Sequence, residues 1–444
     1  AVSVGANGTL DSDTLNVGDG TDNSGTATLT NAGTVTADTV TVKSDGNLTN
    51  TSALTVTNEL KVESGTLISS GTTQAGTLTV DKATNATQSG TVNITGGTTT
   101  ATTTNINDGT ATVADNAILN GGAVTVGDGD SDNASLVANG TVNATALTVN
   151  KDAGLTVDGT VNATGSATVN GGNVTVNQNG TLNAGTTETP INLVVNGGTV
   201  DVNGTVNAKN LTSDNAVGGD TDAAITVGSN GKLNLTPASG ETLFEGINTT
   251  QGDSIVVNGK LNVDVASGTV TQETTAGIAG SGELNKNGAG ELDLTAPTNT
   301  IGTVNANEGT LKVASGSTLN AGTVNVGDGK GNAGSAKLDN AGTVTADSVT
   351  VKGPDGELDN SKNLTVDGDL TVNGGTVNAN AGTLTAEATK IDAGTVAVKG
   401  GATLDGGAIT VGDGNGEEGA GTATLTNAGT VTADNVTVKS DGQL

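Results

Sequence analysis

Apolar residues along this chain fall in short pulses, in which Val, Leu or Ile alternates with Thr, Asn or Lys. Leu147-Thr148-Val149 and Leu155-Thr156-Val157 are typical pulses, and turn-forming residues separate them. Alternation over three to five residues turns one face of an extended strand inward. Strands this short do not make a stable hairpin meander, and glycines between them allow tight corners with positive φ. The pattern therefore predicts an all-β chain folded as a parallel β-solenoid, rather than a β-sandwich.

A shorter repeat sets the length of one coil. The pattern Gly-Thr-apolar-Asn-Ala begins at Gly140, Gly159, Gly180 and Gly204, with successive spacings of 19, 21 and 24 residues. Two further apolar pulses lie between these marks. One coil of about 19–24 residues is therefore expected to hold three short strands and to stack on the next coil at ~4.8 Å.

This register makes predictions about individual side chains. Asn143, Asn162, Asn183 and Asn207 share one position in successive coils, and in-register stacking favours an amide ladder. A set of valines is expected to point inward on equivalent strands, and the lysines are expected on outward positions. The predicted inward valines are Val35, Val142, Val161, Val206, Val344 and Val431.

A longer module is superimposed on the coils. The segment Gly25–Asp38 recurs residue for residue at Gly421–Asp434. Related modules of nearly fifty residues cover 1–48, 111–158, 311–358 and 396–444, and each contains the sequence Val-Gly-Asp-Gly. We expect one continuous solenoid over 1–444, taken from a longer repeat array.

Composition removes several kinds of chemistry. The 444 residues include no His, Cys, Met, Trp or Tyr, and Phe244 is the one aromatic residue. Disulfides, zinc sites and Ser-His-Asp triads are therefore excluded. The formal net charge of -30 and the lack of Arg disfavour nucleic acid and anionic membranes as partners. No apolar run approaches the roughly 18 residues of a transmembrane helix.

One segment carries a family resemblance. Residues 280–294 read Gly-x-Gly-x-Leu-x-Lys-x-Gly-x-Gly-x-Leu-x-Leu, and Gly309-Thr310-Leu311-Lys312-Val313 follows. The segment 277–313 resembles the autotransporter-associated β-strand repeat of bacterial autotransporter passenger domains. It departs from that family at Asn299-Thr300-Ile301, where the family often has an aromatic residue. The resemblance implies a right-handed parallel β-helix displayed outside a Gram-negative cell, with an adhesin-like role.

The Val-Gly-Asp-Gly loops are the best candidate metal sites. They lie at Val17–Gly20, Val126–Gly129, Val326–Gly329 and Val411–Gly414. The run from Asp128 to Asn133 has the carboxylate spacing that opens an EF-type calcium loop. The other copies do not keep this spacing, Lys330 interrupts one of them, and no Glu closes any loop. We therefore expect solvated loops with no metal, and no cofactor elsewhere.

Other candidate chemistry is weaker. The pairs Asp220 with Asp222 and Glu417 with Glu418 lie in polar Gly-rich segments, without the burial that tunes a glycosidase acid. Thr-x-Thr triplets follow from β-propensity, because the corresponding residues become Thr-x-Asn between 140 and 208. Phe244 is expected to plug an irregular coil, with a partner-binding role as the alternative. The sequence thus predicts a protein that is not an enzyme.

Two functions remain open at this point. The chain is either a stalk or adhesin passenger of a Gram-negative surface protein, or a subunit of an extracellular filament or biofilm matrix. In both cases we expect an extracellular, cell-surface or secreted location. Expected partners are further copies of the chain, through end-to-end or side-by-side association, or a ligand on a host or neighbouring cell.

Overall fold

The computed structural model describes residues 1–21, 25–130, 133–214, 222–329, 334–414 and 421–444. The chain divides into two compact units, Ala1–Ile225 and Thr226–Leu444. Both units are built from parallel strands that pair with the strands of the preceding and following coils, which confirms the predicted parallel β-helix. Across these ranges no helix has the length and apolar character needed to cross a bilayer.

Unit 1 contains two columns of strands, labelled in chain order. One column holds short strands: β1 (Val2–Val4), β3 (Ala27–Asn31), β5 (Gly46–Asn50), β7 (Thr66–Ser69), β9 (Gly90–Ile94), β11 (Gly109–Val113), β13 (Ala134–Ala138), β15 (Gly154–Val157), β17 (Asn173–Val176), β20 (Gly198–Val202) and β23 (Ala223–Val227), the last of which contains the unit boundary. The other column holds mostly long strands: β2 (Thr9–Val17), β4 (Thr34–Val42), β6 (Ala53–Glu63), β8 (Thr72–Asp81), β10 (Thr98–Ile106), β12 (Ile118–Val126), β14 (Thr141–Asn150), β16 (Thr160–Asn170), β18 (Thr181–Ala184), β19 (Leu193–Val195), β21 (Thr205–Ala208) and β22 (Leu211–Thr212).

Unit 2 repeats this plan with more variation in strand length. Its strands are β24 (Lys232–Leu235), β25 (Thr242–Leu243), β26 (Ser254–Val257), β27 (Lys260–Asp264), β28 (Thr269–Gln272), β29 (Glu283–Asn287), β30 (Glu291–Leu294), β31 (Thr298–Ala306), β32 (Gly309–Val313), β33 (Thr318–Val326), β34 (Ala336–Asn340), β35 (Thr343–Lys352), β36 (Gly356–Asn360), β37 (Asn363–Ala379), β38 (Thr383–Val398), β39 (Thr403–Asp405), β40 (Ala408–Val411), β41 (Ala423–Asn427), β42 (Thr430–Thr432), β43 (Asn435–Val438) and β44 (Gly442–Gln443).

The long strands account for two of the three strand segments expected in each coil. In β4 the buried side chains are Val35 and Ala37 in the first half, and Val40 and Val42 in the second. Alternation is interrupted between the halves by an exposed Asp38, so that both halves present a face to the core. The expected turn between these segments is thus a bend within one continuous strand.

Stacked aliphatic side chains form the core. Val142, Val161, Leu182 and Val206 follow one another in register on β14, β16, β18 and β21. None of them is more than 1% exposed, and burial of each stabilises the fold by roughly 1.5–3 kcal/mol. The same environment surrounds Val35 and Val344, so the inward prediction is confirmed for five of the six valines.

Val431 does not fit this prediction, because it is only half-buried. It lies on β42, whose pairing among the described strands is with β39. Pairing and packing on one side leave the side chain partly open to solvent. The alternation correctly predicts that Val431 is the more buried residue of β42, but the prediction that it is fully buried is wrong.

Candidate functional site

The first Val-Gly-Asp-Gly loop is closed by carboxylates acting as hydrogen-bond acceptors. The N–H of Gly20 donates to Asp45 Oδ1, one coil further along the chain, at 2.9 Å. Asp19 Oδ1 accepts from the N–H of Thr21 at 2.8 Å and from its hydroxyl at 2.6 Å. Gly18 and Gly20 have φ of 97° and 83°, a backbone conformation that glycine adopts without strain.

The fourth loop repeats this arrangement with the equivalent aspartate. Asp441 accepts from the N–H of Asp413 at 3.1 Å and from the N–H of Gly414 at 3.0 Å. Desolvation opposes its negative charge, but these backbone donors hold the pKa of Asp441 below its usual value. The two loops therefore share an aspartate that accepts hydrogen bonds from backbone N–H groups.

The calcium interpretation is tested only in part. Within the second loop Asp128 Oδ1 accepts from the N–H of Asp130 at 3.0 Å, whereas Ser131 and Asp132 lie outside the described residues, as do Lys330 of the third loop and Asn415 of the fourth. No group of three or more acidic side chains suited to a metal occurs in the parts of the chain that the structure describes. Folding without metal stays a prediction.

The predicted asparagine ladder is confirmed. Each Nδ2 donates to the Oδ1 of the preceding coil, from Asn162 to Asn143 at 2.9 Å, from Asn183 to Asn162 at 2.8 Å, and from Asn207 to Asn183 at 2.7 Å. The ladder also includes Asn120, which accepts from Asn143 at 2.9 Å. A second ladder in unit 2 joins Asn234, Asn262, Asn285, Asn305 and Asn325. These amides are held in register and satisfy one another along the stack.

Lys286 contradicts the expectation that every lysine points outward. It lies on the buried face of β29 and is 0% exposed. Its ammonium donates to the backbone oxygens of Asn287 at 2.8 Å, Gly288 at 2.6 Å and Glu308 at 3.0 Å. Burial lowers the pKa of Lys286 to about 8, while the charges of Asp264 and Glu308 partly offset this effect. The lysine thus ties the end of β29 to the following coil.

A buried amide pair joins Asn299, in the segment with the autotransporter resemblance, to Gln272, which precedes that segment. Gln272 Nε2 donates to Asn299 Oδ1 at 2.8 Å, and Asn299 Nδ2 donates back to Gln272 Oε1 at 3.1 Å. The N–H of Ile278 donates to Asn299 Oδ1 at 3.0 Å as well. Both side chains are 1% exposed. In the stretch Asn299-Thr300-Ile301, where the resembled family often has an aromatic residue, Asn299 fills the core with reciprocal amide hydrogen bonds.

Of the acidic pairs considered from sequence, the structure describes one residue. Asp220, Glu417 and Glu418 lie outside the described residues, and Asp222 is exposed. Phe244 is 0% exposed, with φ of 64°, so its ring is placed as the predicted plug. A partner-binding role would require this ring to leave the core.

Sequence comparison adds no relative to this description. Neither protein-family models nor curated proteins match the chain. The fold shows that the chain is a β-helix repeat protein. The resemblance to autotransporter passengers rests on residues 277–313 alone.

Proposed function

We propose that the chain is a non-catalytic, extracellular stalk or adhesin passenger of a Gram-negative surface protein. The observation that carries this proposal is that polar side chains of the chain form hydrogen bonds with one another and with its backbone. Asn143, Asn162 and Asn183 bind one another in a ladder, and Asp45 and Asp441 cap backbone N–H groups. Side chains engaged in this way support a scaffold rather than an acid–base or nucleophilic centre.

The autotransporter-like segment supports the same proposal. Leu284, Leu292 and Leu311 of this motif are all buried in unit 2, so the motif is part of the stacked core. A negative surface suits a solvated extracellular spacer and disfavours contact with nucleic acid or an anionic membrane. We also propose that residues 1–444 form one continuous solenoid.

Immunogold electron microscopy of the source cells, with antibody raised against this chain, tests the proposal. Label on single fibres attached to the cell surface is the expected result. Label on detached, multi-subunit filaments would favour the filament or matrix role instead. Label confined to the cell interior would refute both functions.

A further inference from the structure

One face of unit 2 carries a regular array of outward threonines. Successive strands each contribute two outward residues, separated by one inward residue, and each such pair is a rung of this threonine array. The rungs are Thr298 with Thr300, Thr318 with Asn320, Thr343 with Thr345, Asn363 with Thr365, Thr383 with Thr385, Thr403 with Asp405, and Thr430 with Thr432. Every member is Thr except Asn320, Asn363 and Asp405.

Successive rungs stack in register. Thr318 pairs with Thr343 of the next coil, and Thr345 pairs with Thr365 of the coil after that. The other rungs follow the same pairing, and the register shifts of these strands lie outside the rungs. Parallel strands lie ~4.8 Å apart, and two residues span ~6.6 Å along a strand. The threonine hydroxyls therefore form a two-dimensional lattice with these two repeats.

The rungs are held firmly and face solvent. All of their members are half-exposed or exposed. The residue between the two members is buried in every rung but the last, at Asn299, Leu319, Val344, Leu364, Leu384 and Leu404. Threonine is β-branched, so its χ1 angle has few allowed values and its hydroxyl a narrow range of positions. A ligand therefore meets a preformed lattice of hydroxyls, which lowers the entropic cost of binding.

The fold does not use the hydroxyls of the threonine array. In the part of the chain that the structure describes, the hydroxyls of Thr345, Thr365 and Thr385 make no hydrogen bond to another side chain or to the backbone. The asparagine ladder of unit 1 differs, because Asn143 and Asn162 bond each other. Each threonine hydroxyl thus keeps one donor and two acceptor positions for a ligand.

The array is also nearly neutral in an acidic chain. Asp405 is its one charged member, whereas the whole chain has a formal net charge of -30. Exposed carboxylates follow three successive rungs, at Asp347, Asp367 and Glu387. They repel an anionic polymer from this face. Sugar rings usually pack on aromatic side chains, and the one aromatic residue, Phe244, is 0% exposed. A neutral ligand other than a polysaccharide fits the array best.

We propose that the threonine array is an ice-binding face. A single hydroxyl contributes little net affinity, because its bond to a ligand replaces a bond to water, so binding requires many rungs to act together. A periodic solid can contact all rungs at once, and a small solute cannot. Ice is neutral, its water molecules both donate and accept hydrogen bonds, and its oxygen atoms repeat at spacings close to those of the array. This activity goes beyond the stalk proposal and does not depend on it.

Slow growth of ice from a solution of the full chain tests this proposal. Advancing ice excludes ordinary solutes and retains a protein that binds its surface, so we expect to recover the wild-type chain in the ice fraction. Thr365→Tyr places an aromatic ring in the middle of the array, at an outward strand position that tyrosine tolerates. We expect this variant to fold and to be excluded into the liquid. Thr376→Tyr is the matched control, because Thr376 is a half-exposed residue of the same strand that pairs with Glu357, outside the array. It should be retained in ice like the wild-type chain.

A second variant, Thr385→Lys, tests the neighbouring rung with a different side chain and should also be excluded from ice. Melting curves followed by circular dichroism establish that each variant is folded. Four results would overturn the proposal: exclusion of the wild-type chain from ice, full retention of a folded Thr365→Tyr or Thr385→Lys variant, an equal loss of retention in Thr376→Tyr, or adsorption of the wild-type chain to microcrystalline cellulose that Thr365→Tyr abolishes. The last result would assign this face to a neutral polysaccharide instead.

Discussion

Substitution of Val161 by Asp places a carboxyl group in the core of unit 1. Val161 is 0% exposed, and its neighbours in register are Val142 and Leu182. Neither neighbour can pair with or solvate a charge. The new side chain must therefore be neutralised, or the coil must open so that water reaches it.

The size of the effect follows from two contributions. Loss of the buried valine side chain costs roughly 1.5–3 kcal/mol. Protonating a carboxyl with an ordinary pKa near 3.9 costs about 5 kcal/mol at pH 7.5 and about 1.5 kcal/mol at pH 5. The total is several kcal/mol at pH 7.5, and much of it disappears at the lower pH. In a repeat array this loss stays local, so coils near position 161 open while distant coils persist.

Limited proteolysis with thermolysin at pH 7.5 and pH 5, followed by mass spectrometry, measures this opening. We expect Val161→Asp to be cut between about residues 142 and 182 at pH 7.5, to release stable fragments from either side, and to resist cleavage better at pH 5. Thr160→Asp is the control, because Thr160 is the adjacent, half-exposed residue of β16. This variant should behave like the wild-type chain at both pH values.

Two results would refute the reasoning. Uniform resistance of Val161→Asp at pH 7.5 would mean that the core at this position tolerates a charge, against the burial found for Val161. Digestion of the whole chain without stable fragments would show instead that the coils unfold as one cooperative unit.

Three further predictions concern the ladder, the buried lysine and metal. Asn162→Ala removes the hydrogen bond that Asn162 donates to Asn143 and the one it accepts from Asn183, so we expect hydrogen-exchange protection of the neighbouring amides to fall by about 1–2 kcal/mol. The control Asn179→Ala, at an exposed position, should leave this protection unchanged. The pKa of Lys286 is lowered to about 8, so between that pH and about 10.5 the unfolded chain binds one more proton than the folded chain, and the free energy of unfolding should rise with pH. Thermal melts across this pH window measure the rise. A flat profile, or the same rise in Lys286→Met, would contradict this assignment. Excess chelator should leave the circular dichroism spectrum and the melting curve unchanged, because the Asp45 and Asp441 carboxylates already accept hydrogen bonds from backbone N–H groups. A large loss of structure on chelation would support the calcium interpretation instead.

The sequence was sufficient to predict the fold and the register because both depend on short-range regularities. Alternation identifies the inward face of Val142 and Val161, and the spacing of Asn143 and Asn162 gives the coil length directly. Stacking in register then follows from the repetition itself. The bend within the long strands was missed, since a two-residue break in alternation resembles a turn when only the sequence is read.

The predicted outward position of Lys286 is wrong, because that prediction rests on the charge of the side chain and not on its phase in the strand. It stands two residues after Leu284 on a strand whose alternation is otherwise regular, and this spacing alone places both side chains on one face. What the sequence does not contain is the arrangement of the carbonyl groups of Asn287, Gly288 and Glu308 around the ammonium. That arrangement depends on how successive coils close, and it is what makes a buried cation tolerable.

The loop of residues 185–192 illustrates how a repeat scaffold accommodates an irregularity at one corner. Each coil of unit 1 is stabilised chiefly by its two neighbours, so an insertion at a corner leaves the stacked strands on either side intact. The eight residues 185–192 separate β18 from β19, yet Leu193 still pairs in register with Ala167. A longer loop adds little closure entropy, and the backbone on both sides holds it in place. Regular coils present nearly the same polar columns at every level and therefore discriminate poorly between ligands. A corner insertion breaks that uniformity at one level, while the strand that follows it returns to the register of the preceding coil.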